Sequence, residues 1–253
     1  MPAAGPRRYR SSRAFLVRSA DLGETDRRLS FFTEDDGEVA VLGKAAHRSR
    51  KRFGGALQRH LLLDIAWTEV SGRIPVLDGA VVLESFWSIL DDWDRVRHAD
   101  YLLELASALF PHPGPKPKVF SLLLAGMRAL AGAEAPRSRG RKAEAAFLSI
   151  AGFGPDLSAC RRCGKAEGVS FRFLPSEGRI VCARCMPGGG TPLSPGAVKT
   201  WRALQSHSPP VHERIRIPEA VLDELQEVIP KYLEWCIGRP MRSLGDLSGT
   251  GKP

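Results

Sequence analysis

The chain has 253 residues, of which 43% are hydrophobic, and carries a formal net charge of +9 with a sequence pI near 9.7. This apolar content is enough for packed cores and excludes wholesale disorder, while no apolar run reaches the roughly 18 residues that a membrane span needs. The basic N-terminus is not followed by an apolar stretch of signal-peptide type, so we expect a cytoplasmic protein. A charge of this size favours a polyanionic partner, either nucleic acid or an anionic membrane surface, and a basic but inert surface is the alternative.

The positive charge is concentrated near the N-terminus. Residues 1–59 hold 13 Lys and Arg against 7 Asp and Glu, so two thirds of the net charge lies in less than a quarter of the chain. Such a gradient favours a defined binding surface over general solubility.

Residues 9–75 have the pattern of a small β-barrel. Short runs rich in Val, Leu, Ile and Phe are separated by turn signals, and Glu34-Asp35-Asp36-Gly37 between two runs indicates a hairpin. Five strands in about 70 residues fit an OB-fold, a five-stranded barrel that binds oligonucleotides; a small antiparallel sheet without a ligand is the alternative. We assign residues 1–82 to this domain, with strands within residues 12–20, 27–33, 37–44, 56–70 and 73–77.

Helical spacing replaces the β pattern after Val82. Apolar residues recur at intervals of three and four in residues 85–110, and residues 118–133 predict a second helix. A basic loop over residues 137–142 precedes a third helix over residues 143–153. We assign residues 83–154 to the first part of a helical domain.

Residues 155–192 hold four of the five cysteines, in two CxxC pairs. Cys160 and Cys163 are separated from Cys182 and Cys185 by 18 residues. In a reducing cytosol such clustering indicates a metal rather than disulfides. Each pair can turn both sulfurs toward one point, and Zn²⁺ prefers four thiolates at tetrahedral angles. We therefore predict a zinc site, with disulfides or an iron–sulfur cluster as the alternatives.

The predicted zinc is structural, because four sulfur ligands leave no coordination position for water or substrate. The segment between the pairs resembles a short β-ribbon with too few apolar residues to fold alone, so the metal replaces the missing core. The fifth cysteine, Cys236, is predicted to be a buried apolar residue of a helix. Nearby cations either stabilise the anionic zinc–thiolate centre or contact DNA; they are Arg161, Arg162, Lys165, Arg172, Arg179 and Arg184.

Residues 193–253 return to helical patterns. Ser194 and Pro195 have the residue types of an N-cap and a first helical position. Residues 218–240 predict an amphipathic helix that Pro230 should kink or interrupt, and a frayed tail follows. The predicted fold class is α+β and multidomain: an N-terminal OB-fold β-barrel, then a C-terminal helical domain into which a four-cysteine, zinc-ribbon-like module is inserted.

A dense basic segment follows the third predicted strand. Residues 44–59 contain six Lys and Arg together with Phe53 and two glycines. A flexible cationic loop beside a barrel strand can follow a phosphate backbone, and a solvated run of charge is the alternative. We expect Phe53 to anchor the loop rather than to stack on a base.

Five short segments between residues 21 and 58 form a recognisable series. They are Asp21-Leu22-Gly23-Glu24-Thr25-Asp26-Arg27, Phe31-Phe32-Thr33, Gly37, Lys44-Ala45-Ala46-His47-Arg48 and Phe53-Gly54-Gly55-Ala56-Leu57-Gln58. In order and spacing they resemble the GE-x-D-R, (F/L)T…G, KGAR and GG-x-LQ landmarks of the RecO recombination-mediator family; Ala45 stands where the family often has glycine. A looser match continues through a YLLEL segment at residues 101–105.

The resemblance implies a DNA repair function. Family members have an OB-fold, a helical domain and, in many members, CxxC pairs. They bind single- and double-stranded DNA, anneal complementary strands and work with RecR to load RecA onto single strands coated by SSB, whose acidic C-terminal tail they can bind. By this resemblance the partners are DNA, RecR, SSB and, indirectly, RecA, with no membrane, and the protein is nucleoid-associated.

Two sets of candidate binding residues follow. A peptide that is acidic and apolar needs an apolar pocket bordered by cations, and Arg139 and Arg141 are the candidates for the SSB tail; a helix packed in the core is the alternative. Arg27 is a supporting candidate for DNA that can instead pair with an acidic neighbour, Glu24 or Asp26. The predicted DNA-binding residues are Arg10, Arg27, Arg28, Lys44, Arg48, Arg50, Lys51 and Arg52.

Two other function classes compete. No GxSxG, P-loop, GxGxxG or HExxH motif occurs in the sequence, so we expect no catalytic residues and no enzyme activity. The other competitor is a zinc-containing scaffold that acts through protein contacts without touching DNA.

Overall fold

A closed barrel of five strands forms the N-terminal part of the computed structural model, which describes residues 6–205 and 214–243. The barrel order is β1-β2-β3-β5-β4, which is the OB-fold predicted from the sequence. A short helix α1 (Arg50–Phe53) lies between β3 and β4. The strands are β1 (Arg7–Leu22), β2 (Asp26–Thr33), β3 (Gly37–Gly43), β4 (Leu61–Val70) and β5 (Val76–Ser85).

The barrel is built around the unusual length of β1. Residues 7–14 of β1 pair with β4 and residues 14–22 pair with β2, both antiparallel, with a register shift between Leu16 and Arg18. Closure is made by β3 and β5 through one parallel pair, Leu42 with Val76, beside a 2.8 Å hydrogen bond from the Leu42 N–H to the Pro75 carbonyl. Alternate residues of each strand face the interior and form the core; the fully buried ones include Leu29, Phe31, Ile65, Trp67 and Leu77.

Three helical segments pack with the barrel. A 3₁₀ helix (Trp87–Asp91) leads into α2 (Trp93–Leu109), and α3 (Pro117–Ala131) follows. The Phe15 ring on the outer face of β1 lies 6.3 Å from the ring of Phe86 and 5.5 Å from that of Phe120. Because β1 alternates, one strand supplies side chains both to the barrel core and to the layer under the helices.

The chain divides into two compact units, residues 1–132 and residues 133–253. This division differs from the predicted boundary after residue 82, since the 3₁₀ helix, α2 and α3 belong with the barrel. The four predicted domain ranges themselves stay a prediction.

The second unit combines three helices with a small antiparallel sheet of order β7-β6-β8. An aromatic cluster joins them: the Phe173 ring of β6 lies 4.9 Å from Trp201 and 5.1 Å from Tyr232. The predicted β-ribbon between the cysteine pairs is confirmed, with β8 as a third strand. The elements are α4 (Pro136–Ile150), β6 (Phe171–Leu174), β7 (Arg179–Cys182), β8 (Thr191–Leu193), α5 (Pro195–Leu204) and α6 (Glu219–Ile237).

Some predicted details are confirmed and others are wrong. Ser194 caps α5, its Oγ accepting a 3.1 Å hydrogen bond from the Ala197 N–H. Helix α6 runs through Pro230 without the predicted interruption. The predicted loop over residues 137–142 is instead the start of α4, β5 extends to Ser85, and Cys236 is partly exposed rather than buried.

Two further points complete the fold. The C-terminal tail predicted after residue 243 lies outside the described residues. Within residues 6–205 and 214–243, the search for a helix with both the length and the apolarity of a bilayer span finds none.

Candidate nucleic-acid interface and metal centre

The basic segment after β3 is fixed to the turn between β1 and β2. The Ala45 N–H donates a 2.8 Å hydrogen bond to Asp26 Oδ1, and the His47 N–H donates a 3.2 Å hydrogen bond to the Thr25 carbonyl. The His47 Nε2 atom lies 3.0 Å from Asp21 Oδ1. We call residues 44–60 the basic loop. Three of its contacts therefore fix how it leaves the barrel.

Asp26 is held in its charged form by the basic loop. The Ala45 N–H, followed by the Thr25 hydroxyl, lowers the pKa of Asp26 below its ordinary value, and the charges of Lys44 and Arg52 act in the same direction. Backbone donors favour a carboxylate because they stabilise only its ionised form. The anchor of the basic loop is thus a charged group at neutral pH.

Helix α1 fills the middle of the basic loop and faces the barrel core. Phe53 is 3% exposed and belongs to that core, so its anchoring role is confirmed. The Arg52 guanidinium lies over the Phe53 ring, 4.8 Å from its centroid, and donates to the Ser49 hydroxyl at 3.0 Å and to the Lys44 carbonyl. Arg52 therefore holds the loop together as well as carrying charge.

The predicted DNA-binding cations fall into two groups. Arg28, Lys44, Arg48 and Lys51 are exposed, and the described residues supply no ion pair to any of these four. The side chain of Arg50 lies outside the described part. The first group is thus available to an external anion.

Like Arg52, two more of the predicted cations are already engaged. Arg10 pairs with Asp36 in the β2–β3 turn, away from the contacts that anchor the basic loop. The Arg27 Nε atom lies 3.4 Å from Asp21 Oδ1 and its Nη1 atom 3.5 Å from the Leu57 carbonyl. The alternative that Arg27 pairs with an acidic neighbour is therefore what the structure shows, with Asp21 as the neighbour rather than Glu24 or Asp26.

A cleft of about 260 Å³ lies between Arg27 and the basic loop. Its polar lining includes three side chains that the sequence prediction did not include among the binding residues: His47, Ser49 and Gln58. The sequence offers only a weak signal for them, namely their position inside the basic loop, because polar residues without charge are common in any loop.

The four predicted cysteine ligands converge in the second unit. Cys160 and Cys163 precede β6, while Cys182 ends β7 and Cys185 lies in the turn that follows it. The four Sγ atoms all lie within 4.8 Å of one another, and Cys163 Sγ is 3.7 Å from Cys182 Sγ. A Zn²⁺ ion bound by thiolates at about 2.3 Å places neighbouring sulfurs about 3.8 Å apart. The cluster therefore has the dimensions of a metal site and can hold an ion.

The backbone around the cysteines favours thiolates. Burial raises the pKa of Cys160, but N–H groups of Cys182, Cys163 and Arg162 outweigh it and lower that pKa to about 6; one of these bonds, from the Cys182 N–H, is 3.2 Å long. Hydrogen bonds with Cys182 and Cys163 raise the pKa of Cys185 to about 12. A cation bound by all four sulfurs would replace the protons that the cluster otherwise shares.

Several cations around the cysteines serve the module itself. Arg161 pairs with Glu177, and Arg162 donates a 2.7 Å hydrogen bond to the Cys185 carbonyl. Arg172 donates to the carbonyls of Gly189 and Pro187 at 3.1 and 2.9 Å. The contacts of these three arginines favour a structural role over a role in DNA contact.

The predicted peptide site at Arg139 and Arg141 is not on the surface. Arg139 is 5% exposed and pairs with Glu134, and Arg141 is fully buried with its Nη2 atom 2.6 Å from Glu144 Oε1. The prediction placed both in a loop over residues 137–142, whereas α4 begins at Pro136 and turns them inward. The expectation that they border an open pocket is therefore wrong.

The comparisons with known proteins agree with this architecture. Residues 8–86 match the family model described as "Recombination protein O N terminal", and residues 90–245 match "Recombination protein O C terminal". The chain belongs to the RecO family.

Curated members of the RecO family match nearly the whole chain. A DNA repair protein RecO of Anaeromyxobacter sp. (strain K) is 34% identical over 241 residues, covering 93% of this chain and 94% of the relative. Those of Myxococcus xanthus and Nocardioides sp. are 31% and 32% identical, and cover 94% and 91% of this chain. The chain is therefore a DNA repair protein of the RecO family.

Proposed function

We propose that the chain is a DNA-binding recombination mediator that acts in the cytoplasm on nucleoid DNA. It binds single- and double-stranded DNA, anneals complementary strands and, with RecR, helps to load RecA onto single strands coated by SSB. The observation that carries this proposal is the basic loop: Lys44, Arg48 and Lys51 are exposed, have no ion pair with the described part of the chain, and lie on a segment whose start is fixed to the barrel by Asp26. Membership of the RecO family supports it.

Annealing needs charge neutralisation rather than covalent chemistry. Two phosphate backbones repel each other, and cations that neutralise them leave the base edges free to pair. The anchored loop presents its cations from one surface, so strands bound there come close without a contact that reads sequence. We therefore propose no catalytic residue, and assays for nuclease activity and DNA-dependent ATP hydrolysis should give no signal.

We also propose that Cys160, Cys163, Cys182 and Cys185 bind one structural Zn²⁺. The spacing of the sulfurs supports this assignment. Bound zinc supplies cohesion to a small sheet and no Lewis-acid chemistry, because four thiolates complete its coordination. The chain positions the four sulfurs with two tight turns, one before β6 and one after β7.

RecR, RecA and the SSB tail remain proposed partners by family membership. Burial of Arg139 and Arg141 argues that a tail peptide binds elsewhere on the chain. The proposal for DNA does not depend on where that peptide site lies.

Strand annealing by the purified chain, with and without SSB on the strands, tests the proposal directly. Annealing above the spontaneous rate is expected in both cases. A chain that binds no DNA in gel shifts at low salt would instead support the zinc-containing scaffold.

Replacing Arg48 and Lys51 together by Ala tests the DNA surface. Loss of two phosphate contacts should weaken binding across sequences and lower the slope of log affinity against log salt by about two. Both side chains are exposed and unpaired, so stability should not change. Arg214→Ala with Arg216→Ala is the matched control, because it removes the same charge from exposed positions in the second unit. Equal slopes for the two double variants would place the DNA path elsewhere.

A further inference from the structure

The cleft between Arg27 and the basic loop has the lining of an anion site. Its polar side chains come from β2 and from the loop on either side of α1, and its apolar lining is Phe53, Leu57 and Ala46. Phe53 and Leu57 are 3% and 7% exposed, so the apolar part is shared with the barrel core and cannot move away easily. The cleft is thus a recess in a rigid part of the barrel surface.

Arg27 brings a positive charge to this recess with part of its hydrogen-bonding capacity unused. Its two contacts are long, 3.4 Å to Asp21 Oδ1 and 3.5 Å to the Leu57 carbonyl, and its Nε atom is buried without a hydrogen bond. A buried donor without a hydrogen bond costs free energy that a well-placed acceptor recovers. Asp21 is a long-range partner for Arg27, so a closer anionic acceptor in the cleft would complete the hydrogen bonds of the guanidinium.

Two neutral donors line the same recess. The Ser49 hydroxyl accepts from the Arg52 Nε at 3.0 Å and keeps its own proton to donate. The Gln58 side chain is exposed and makes no hydrogen bond to the residues that the structure describes, which leaves its amide protons free to donate. A guanidinium, a hydroxyl and an amide around one recess match the several oxygens of a phosphate group.

The position of Arg27 distinguishes the two forms of DNA. Its side chain is 25% exposed, whereas Lys44, Arg48 and Lys51 are exposed. A phosphate must turn inward beside Phe53 to reach it, and a flexible single strand can bend in this way at one nucleotide. A duplex is stiff over about 150 base pairs and presents its phosphates on a smooth cylinder, so it can contact the exposed cations of the loop without entering the cleft.

We propose that the cleft lined by Arg27, Ser49 and Gln58 binds one phosphodiester group of single-stranded DNA and makes the chain favour single strands over duplex. This inference rests on the proposed function, since it assumes that DNA follows the basic loop. It assigns to two uncharged side chains a selectivity that the exposed lysines and arginines do not supply.

The test is Ser49→Ala with Gln58→Ala, measured by fluorescence anisotropy on labelled oligothymidylate and on a duplex of the same length. Two hydrogen bonds to a charged group are lost, so affinity for the single strand should fall by at least about tenfold. Duplex affinity should stay within about twofold, and the salt slope should not change on either DNA because no cation is removed.

Gln58→Ala alone separates loss of the phosphate contact from a shift of the loop. Ser49 accepts a hydrogen bond from Arg52, whereas Gln58 has no hydrogen bond of this kind among the described residues. The single variant should weaken single-strand binding several-fold with an unchanged melting temperature. Ser170→Ala with Gln226→Ala is the control, since it removes the same atoms from the second unit and should change neither affinity.

The outcomes separate this inference from the proposed function. Unchanged single-strand affinity in the double variant, or an equal loss on single strand and duplex, overturns the cleft assignment and leaves DNA binding intact. A wild-type chain that binds neither DNA overturns the proposed function itself.

Discussion

Asp26 is a negative charge placed inside a cationic surface, and the position of the basic loop depends on it. Its carboxylate accepts the Ala45 N–H at the point where the loop leaves the barrel. In general a carboxylate near bound phosphate repels it, so removal of Asp26 would strengthen binding if charge alone mattered. The structure indicates the opposite, because the loop loses its anchor.

Asp26→Ala should therefore weaken DNA binding several-fold although the net charge rises by one. Glu24→Ala is the matched control: Glu24 is exposed in the same turn and makes no hydrogen bond or ion pair with the described side chains of the loop, so its removal should leave binding unchanged or slightly stronger. Affinities and salt slopes from anisotropy compare the two variants. Stronger binding by Asp26→Ala would mean that the loop needs no anchor.

The lowered pKa of Asp26 sets where this anchor acts. A carboxylate with a depressed pKa contributes its stabilisation at every pH above the ordinary Asp value near 4, and the contribution is lost as pH falls through the depressed value. Neutral pH lies well above that window, so the loop stays anchored under cellular conditions.

At this scale the sequence predicted residue types better than residue partners. The density of Lys and Arg in residues 44–59 located the surface, but nothing in a linear pattern shows that Arg10 pairs with Asp36 or that Arg52 lies over Phe53. Ala45 is a similar case: its φ of 50° lies in the left-handed region that favours glycine, which explains the glycine often found there in the family and costs about 1 kcal/mol.

Among the elements, the small sheet of the second unit depends most on its neighbours. Its three strands are only three or four residues long, and the buried Phe173 packs on Trp201 of α5 and Tyr232 of α6. The cysteine cluster closes one side of this sheet, so metal and aromatic packing support the same few residues. Loss of the ion should therefore weaken the packing of α5 and α6 on the sheet.

Cys163→Ser should abolish stoichiometric metal binding and lower the melting temperature of the second unit. The loss of unfolding free energy should approach the loss caused by removing the Phe173 side chain, about 3–5 kcal/mol. Elemental analysis and thermal melting measure the two effects, and acid should promote metal release because protons compete for the thiolates. Cys236→Ser is the control, since Cys236 lies in α6 and is not one of the clustered sulfurs. Metal content equal to wild type in Cys163→Ser would contradict the assignment.

The elements differ in how well their sequence patterns define them. The spacing of two CxxC pairs fixed the cluster, because few arrangements other than metal ligation need that spacing. The start of α4 differs from the prediction because the dense Arg and Lys of residues 137–142 are typical of a solvated loop. Glu134 and Glu144, which neutralise them, make that segment a buried helix. Burial of charge depends on partners that a periodicity argument does not include.

In the whole molecule, the candidate DNA-binding surface and the candidate metal site lie in different units. The basic loop and the cleft lie in residues 1–132, and the cysteine cluster lies in residues 133–253. No residue assigned to DNA contact belongs to the metal module. Each unit has its own core, so one can lose stability while the other keeps its structure.

Removal of the metal should therefore leave DNA binding by the first unit in place. Protein treated with a strong chelator should keep its affinity for single-stranded DNA within about threefold at low salt, with an unchanged salt slope. Anisotropy titrations before and after chelation measure this, with elemental analysis to establish that the ion has left. A collapse of the salt slope would show that the metal module contributes phosphate contacts.

The closure of the barrel has a consequence for its motion. Neighbouring strands elsewhere in the barrel share ladders of seven or eight residue pairs, whereas β3 and β5 share one. Transient opening costs least where the fewest hydrogen bonds must break, so the barrel should breathe at Leu42. Because Leu42 lies two residues before Lys44, each such opening carries the root of the basic loop with it. A local fluctuation of the barrel would therefore loosen DNA strands that the basic loop holds. This gives a route to releasing an annealed duplex without unfolding the protein.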